Sequence, residues 1–269
     1  MANLTTQSEE SRISIEQRGQ ILLIGLNRPA KRNAFDRQML DELANAYARL
    51  EDSDDVRCGV LFAEGEMFTA GLDLASLAPT IATSGNLEYP ENSIDPLNLY
   101  GERTRTKPLV AAVQGKCLTV GIELLLATDI RIASEKATFA QIEIKRGIFP
   151  FGGATLRLPE VAGWGNAMRW LLTGDEFDAA EALRIGLVQE VVAQGSQIDK
   201  AIEIAERIAA QAPLGVRATI ESARKAQLKG FAAAAKDLMP QVTKLFQTED
   251  AREGVQSFVE RRAGKFTGR

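Results

Sequence analysis

The chain has no histidine, and that absence removes a large part of ordinary enzyme chemistry. Without imidazole, neither a Ser-His-Asp nor a Cys-His nucleophile system can be built. The two cysteines, Cys58 and Cys117, fall at no metal-binding spacing and imply no disulfide framework. A zinc site would rest on them and on carboxylates alone, a poor donor set for structural zinc, so no metal is expected. Acid–base catalysis near neutral pH is left to Glu, Asp, Lys, Tyr or Cys. The chain also lacks an apolar run of about 18 residues that could span a bilayer, and a secretory-type apolar stretch near its start. A cytoplasmic protein without a membrane partner is expected. The net charge of −4 gives no global basic field, so nucleic acid is not an expected partner.

What is present suits one large domain or one domain with an appendage: 269 residues, 45% hydrophobic and 25% charged. The rest is organised around residues 107–153. This stretch opens with an apolar run, Leu109–Val113, of strand character. A turn at Thr119-Val120-Gly121 then leads into an apolar helix carrying one acid, Glu123. A second strand-like run, ATFAQIEIKR, carries Glu143 ahead of a Pro/Gly-rich loop. Carboxylates in apolar surroundings are rarely buried unless paired or functional, so both glutamates need an explanation.

Upstream, 12–17 and 20–26 read as a strand hairpin around Gly19. Asp36 is a good N-cap for a helix whose apolar face is Met39, Leu40, Leu43, Tyr47 and Leu50. Residues 56–63 form the next strand, and the order strand, helix, strand predicts an α/β core with parallel pairing. Residues 78–98 are irregular, with three prolines and one glycine, as a lid or a plain insertion would be. A helical run is predicted near 97–105. Downstream, helices are predicted at 154–158 (stopped near Pro159), 164–172 and 178–185, then a short strand at 187–192. Beyond it the chain turns helical over 198–212, 214–229, 231–246 and 251–262, punctuated by Gly195, Pro213 and Gly230. The stripe Ile198, Ile202, Ala205 and Ile208 reads as packing on the core.

The central stretch resembles the signature of the crotonase superfamily, the enoyl-CoA hydratases and isomerases. So do LNRPAKRNAF at 26–35, MFTAGLDL at 67–74, LLTGDEFDAAEALRIGLVQEVV at 171–192 and DAREGVQSFVERRAGKF at 250–266. The resemblance implies a spiral of ββα units over 1–195. It also implies a helical region over 196–269 that buries surface against neighbouring subunits in a trimer or a dimer of trimers. It implies an acyl-CoA substrate, with coenzyme A part of the substrate and no separate cofactor. Glu123 and Glu143 would act together on one water, and the backbone N–H groups of Ala70 and Val120 would form an oxyanion hole. The turn Thr69-Ala70-Gly71-Leu72-Asp73, with Gly121, would contact substrate, and Arg28, Lys31 and Lys265 would meet the CoA phosphates. The expected activity is hydration of 2-enoyl-CoA; a Δ3,Δ2-enoyl-CoA isomerase and a non-catalytic CoA- or RNA-binding relative are the alternatives.

Each of these residues also has a plain structural reading. An acid in the first turn of a helix, such as Glu123, is favoured by the helix dipole, and Glu143 has Lys145 and Arg146 beside it as surface partners. Asp129 matches a structural aspartate of the family. Two departures stand out: Thr119-Val120 replaces the usual Gly-Gly, and Ile142 replaces a frequent proline before the second glutamate. A β-branched residue resists positive φ, so Val120 either takes a common conformation or alters the hole.

Overall fold

The computed structural model describes residues 11–84, 87–99 and 103–269. The expected hairpin is formed by β1 (Ile13–Arg18) and β2 (Ile21–Leu26), antiparallel in the register Ile13↔Leu26 to Arg18↔Ile21. Helix α1 (Arg37–Asp52) follows, and its first-turn Met39 N–H donates to Asp36 at 2.9 Å, as a good N-cap requires. Next come β3 (Cys58–Ala63) and α2 (Leu74–Ser84). Then β4 (Leu109–Val113), β5 (Lys116–Leu118) and α3 (Val120–Leu126) build the central stretch.

The chain continues through β6 (Ile130–Ser134), β7 (Thr138–Ala140), α4 (Ala154–Ala162), α5 (Trp164–Thr173), β8 (Phe177–Asp178), α6 (Ala179–Arg184) and β9 (Glu190–Val192). The six-stranded sheet runs β1-β2-β3-β4-β6-β9, parallel after the hairpin, while β5, β7 and β8 form a smaller sheet. At β4–β5 and again at β6–β7, the first strand joins the large sheet and the second peels away to the small one. That recurrence is the ββα spiral, and it leaves the site where strands peel away.

The large sheet is covered on both faces, which is why β2 and β4 are apolar throughout. Strand alternation sends Leu22, Ile24 and Leu26 toward α1, whereas Ile21 and Leu23 pack with Val60, Val110, Ile132 and the alanines Ala201, Ala205 and Ala209. Those alanines lie on α7 (Gln197–Ala209), so this helix belongs to the core layer rather than to a separate helical region, and its apolar stripe packs on the sheet. The appended helices are α8 (Pro213–Lys229), α9 (Phe231–Ala235), α10 (Leu238–Leu245) and α11 (Glu249–Glu260). No helix among the described residues is long and apolar enough to cross a membrane.

Several local expectations are corrected. The stretch predicted to be irregular from residue 78 begins inside α2, which accommodates Pro79. Gly85, Asn86 and 100–102 lie outside the described residues. Where described, 97–105 is not helical. Its neighbouring N–H groups at Thr106 and Lys107 donate to the Glu51 carboxylate, at 2.8 and 3.1 Å, and the Arg105 side chain is drawn inward. The run bearing Glu143 is a strand only to Ala140, because its partner β5 ends at Leu118; a 3₁₀ turn, Ile142–Arg146, takes over. Helix α4 passes Pro159 and ends at Gly163, and the helix expected over 231–246 is broken between Ala235 and Leu238.

Asp129 is structural, as the resemblance implied. It accepts from Arg105 at 2.7 Å, from the Leu109 N–H at 2.8 Å and from Arg224 of α8 at 3.2 Å. Burial raises its pKa, but Arg105, Arg224 and the Leu109 N–H more than offset this, so the carboxyl lies below its ordinary value. Asp129→Asn leaves the buried Arg105 without its counter-charge and is expected to cost about 3 kcal/mol in urea unfolding. The carboxylate's contribution is present above the ordinary carboxyl range and is lost as pH falls through its depressed pKa. A variant as stable as wild type would refute the role given to this ion pair.

Candidate active site

The two glutamates are brought together by the peeling strands. Glu123 is the fourth residue of α3 and is 3% exposed; Glu143 lies on the 3₁₀ turn after β7 and is 7% exposed. The surface ion pair that spacing allowed for Glu143 does not form, since Lys145 reaches Asp175 at 3.1 Å. Glu123 Oε1 accepts from the Gly152 N–H at 2.6 Å and the Ala154 N–H at 3.2 Å. The Pro/Gly-rich loop thus closes directly on this carboxylate. A Cβ at Gly152 would come within 2.4 Å of Glu123 Oε2, so only glycine permits that approach.

Their electrostatics differ. Burial raises the pKa of Glu123, opposed by the Ala154 and Gly152 N–H groups and by the charge of Arg157. Burial pushes Glu143 up to about 7; its own backbone N–H opposes this, and the charge of Glu123 adds to it. In the amide orientation that satisfies both its ends, Gln141 donates to Glu143 at 3.0 and 3.1 Å and to the Thr119 carbonyl at 3.2 Å, favouring the charged form. Gln141 is completely buried, and sequence reasoning missed it. Its only signal was a polar residue two positions before Glu143 in an apolar run.

The turn at 69–73 lies against the start of α3. The Thr69 N–H donates to the Lys116 carbonyl at 3.1 Å, and the Leu118 N–H donates to the Thr69 carbonyl at 3.1 Å. Thr69 Oγ1 donates to the Asn33 carbonyl at 2.6 Å and accepts from the Gly71 N–H at 3.0 Å. It pins the turn, and its hydroxyl proton is committed to Asn33. Gly121 sits against Thr69 and Cys117. The thiol of Cys117 is fully buried and pushed well above its ordinary pKa by burial, which leaves it inert.

The expected oxyanion donors need correction at one position. The Ala70 N–H donates to the Arg32 carbonyl at 2.9 Å and is unavailable to a ligand. The Asp73 N–H is likewise taken, by the Phe35 carbonyl at 2.8 Å. Between them, the Leu72 N–H has no partner among the described residues, and neither does the Val120 N–H. Val120 opens α3 and is not among the residues with positive φ; the left-handed conformation falls on Thr119 instead, at φ 52°. Val120 therefore takes the common conformation that leaves its N–H free.

Of the basic residues, Arg28 is turned inward onto Asp36 at 3.1 Å and Asp73 at 3.0 Å. That pairing makes it part of the frame of the 69–73 turn, which corrects its expected role at a phosphate. Asp73 is correspondingly a partner of Arg28. Lys31 and Lys265 are exposed. Asn33, another residue missed in the sequence, is completely buried and donates to the carbonyls of Glu64 and Met67 at 2.8 and 3.0 Å. No cluster of residues suited to a metal ion occurs among those described.

A spiral of ββα units carrying two buried carboxylates and free N–H groups on adjoining turns is the arrangement of the crotonase class. The profile of the family "Enoyl-CoA hydratase/isomerase" matches residues 16–269, and the chain belongs to that family. It is 38% identical over 257 residues to the enoyl-CoA hydratase EchA19 of Mycobacterium tuberculosis, covering 95% of this chain and 96% of that protein. It is 31% identical over 259 residues to 2,3-dehydroadipyl-CoA hydratase of Escherichia coli, covering 96% of this chain and 100% of that one. A crystal structure of a probable enoyl-CoA hydratase/isomerase from Mycobacterium abscessus superposes with a TM-score of 0.93 at 57% identity, covering 96% of this chain and 99% of that one.

The raised pKa of Glu143 has a consequence for stability. Between its ordinary value of 4.5 and about 7, the folded chain holds a proton that the unfolded chain has released. The stability contribution of this group therefore falls as pH rises through that window, and the full penalty applies above it. Glu143→Gln is expected to be more stable than wild type at pH 8 by about 1–3 kcal/mol, and near wild type at pH 5, by urea unfolding. Equal stabilities at pH 8 would refute the assignment.

Proposed function

We propose that the protein hydrates 2-enoyl-CoA thioesters to 3-hydroxyacyl-CoA. The observation that supports this best is the pair of buried carboxylates with unlike surroundings, the charge of Glu123 reaching Glu143. Glu123, whose carboxylate accepts from the Gly152 and Ala154 N–H groups, is the base and removes a proton from water. The hydroxide so formed adds to Cβ of the enoyl group. Glu143, held protonated near neutrality by burial, delivers the proton to Cα. Charge that builds on the thioester oxygen is met by the N–H groups of Leu72 and Val120.

The chemistry balances as the addition of one water across the double bond, with no oxidant, metal or separate cofactor. Exposed Lys31 and Lys265 remain the proposed partners of the CoA phosphates, and Ile148 and Phe149, exposed on the loop after Glu143, offer the acyl chain an apolar wall. A cytoplasmic location belongs to the same proposal.

In H₂¹⁸O, purified protein is expected to convert enoyl-CoA to 3-hydroxyacyl-CoA labelled at the new hydroxyl. Glu123→Gln and Glu143→Gln should each lower kcat by at least about 10²-fold, with losses far from additive because both serve one transition state. Retained isomerisation in one of the two variants, without labelled product from wild type, would establish the single-acid isomerase instead. The proposed assembly is tested separately. Phe231 and Phe258 are each 84% exposed on the appended helices, with Leu228, Met239 and Val259 also exposed, more apolar surface than a monomer ordinarily leaves in water. Light scattering is expected to give three or six times the chain mass; a monomer at micromolar concentration would refute it.

A further inference from the structure

Thr119 is the one β-branched residue with positive φ among the described residues, at φ 52° and ψ −118°. That conformation belongs almost entirely to glycine, and a threonine there is strained. Backbone bonds hold it: its N–H donates to the Ala140 carbonyl at 3.0 Å, and its carbonyl accepts from the Ile122 N–H at 2.9 Å and the Glu123 N–H at 3.4 Å. Glycine would keep these bonds without strain. The side chain must supply whatever maintains threonine here, yet it makes no capping bond to α3, and its hydroxyl has no hydrogen-bond partner among the described residues.

The position of that hydroxyl is specific. A Cβ built on Gly71, whose φ is +102°, would fall 2.1 Å from Thr119 Oγ1, so the oxygen lies directly over the Gly71 backbone. Gly71 immediately precedes Leu72, and Thr119 immediately precedes Val120. The hydroxyl thus belongs to the residue before one free N–H and lies against the residue before the other. Thr119 is half-buried, so a ligand at those N–H groups has access to it.

We propose that the Thr119 hydroxyl is a third donor to the thioester oxygen of the substrate, alongside the Leu72 and Val120 N–H groups, and that the strained backbone is retained to aim it. This rests on the acyl-CoA reading above. It assigns a direct contact with the reacting thioester to a residue whose side chain otherwise only adds strain. The ligand class is any acyl-CoA, saturated or not, because the contact is with the carbonyl common to all of them.

Two measurements on the full-length protein test it. Difference infrared spectroscopy with butyryl-CoA carrying ¹³C at the thioester carbonyl reads polarisation without requiring turnover, and kcat with crotonyl-CoA reads catalysis. The bound carbonyl stretch is expected to be lowered in wild type and in Thr119→Ser, and to move back toward the free value in Thr119→Val and Thr119→Gly. The last two should lose up to about 10²-fold in kcat, the scale of one oxyanion donor, with Thr119→Ser recovering most of it. Thr119→Gly should also raise Tm by about 2–4 °C as strain is released; should Thr119→Val fail to fold, this variant carries the test. Wild-type stretch and wild-type kcat in Thr119→Gly would overturn the proposal, as would the absence of any shift or binding with wild type. A shift that depends on the Thr119 hydroxyl, in a protein forming no 3-hydroxyacyl-CoA, would uphold this contact while removing the hydratase reading.

Discussion

Two backbone hydrogen bonds at Thr69, from its N–H to Lys116 and to its carbonyl from Leu118, make one site out of two distant chain segments. They extend the pairing of β5 by one residue of an otherwise irregular turn. Everything proposed to touch the thioester hangs on that seam. It brings Gly71 under Thr119 at the start of α3, the helix whose Glu123 meets the 152–154 loop. The seam is in turn buttressed from outside by Thr69 Oγ1 on Asn33 and by Arg28 on Asp36 and Asp73. Placing the machinery on main-chain groups makes the site tolerant of side-chain variation but dependent on backbone position.

The unlike surroundings of the glutamates follow from the same architecture. Glu123 lies where a helix start faces a loop with N–H groups to offer, and these oppose the cost of burying its charge. Glu143 lies on a tight turn between strand and loop, where the Gln141 amide donates to it. Identical side chains are thereby given different surroundings in a chain that has no histidine.

Much of this was legible in the sequence because it is local. The apolar run at Leu109–Val113, the cap at Asp36 and the Glu123-bearing helix are encoded within a few residues of themselves. The family resemblance supplied the pairing of Glu123 with Glu143, which no local pattern contains. What escaped is non-local. Arg28 looked like a free cation because Asp73 is remote in sequence, and Ala70 looked like a donor because the Arg32 carbonyl that occupies it is contributed by another segment. The strand carrying Glu143 was read too long because its length is set by where β5 stops. The strain was sought at Val120, but which of two adjacent β-branched residues turns left-handed depends on the Ala140 carbonyl across the sheet.

The attachment of α8 has a further consequence. This helix buries none of its residues fully, and its ties to the core are charged: Arg217 to Glu51 at 2.7 Å, and Arg224 to Asp129 at 3.2 Å. The central layers, by contrast, are joined through packed aliphatic side chains. The appended helices are moored rather than welded, and moorings of this kind slacken with ionic strength while aliphatic packing does not. Salt and temperature should therefore act on different parts of one molecule, with concentrated salt loosening the outer helices under conditions that leave the sheet layers folded.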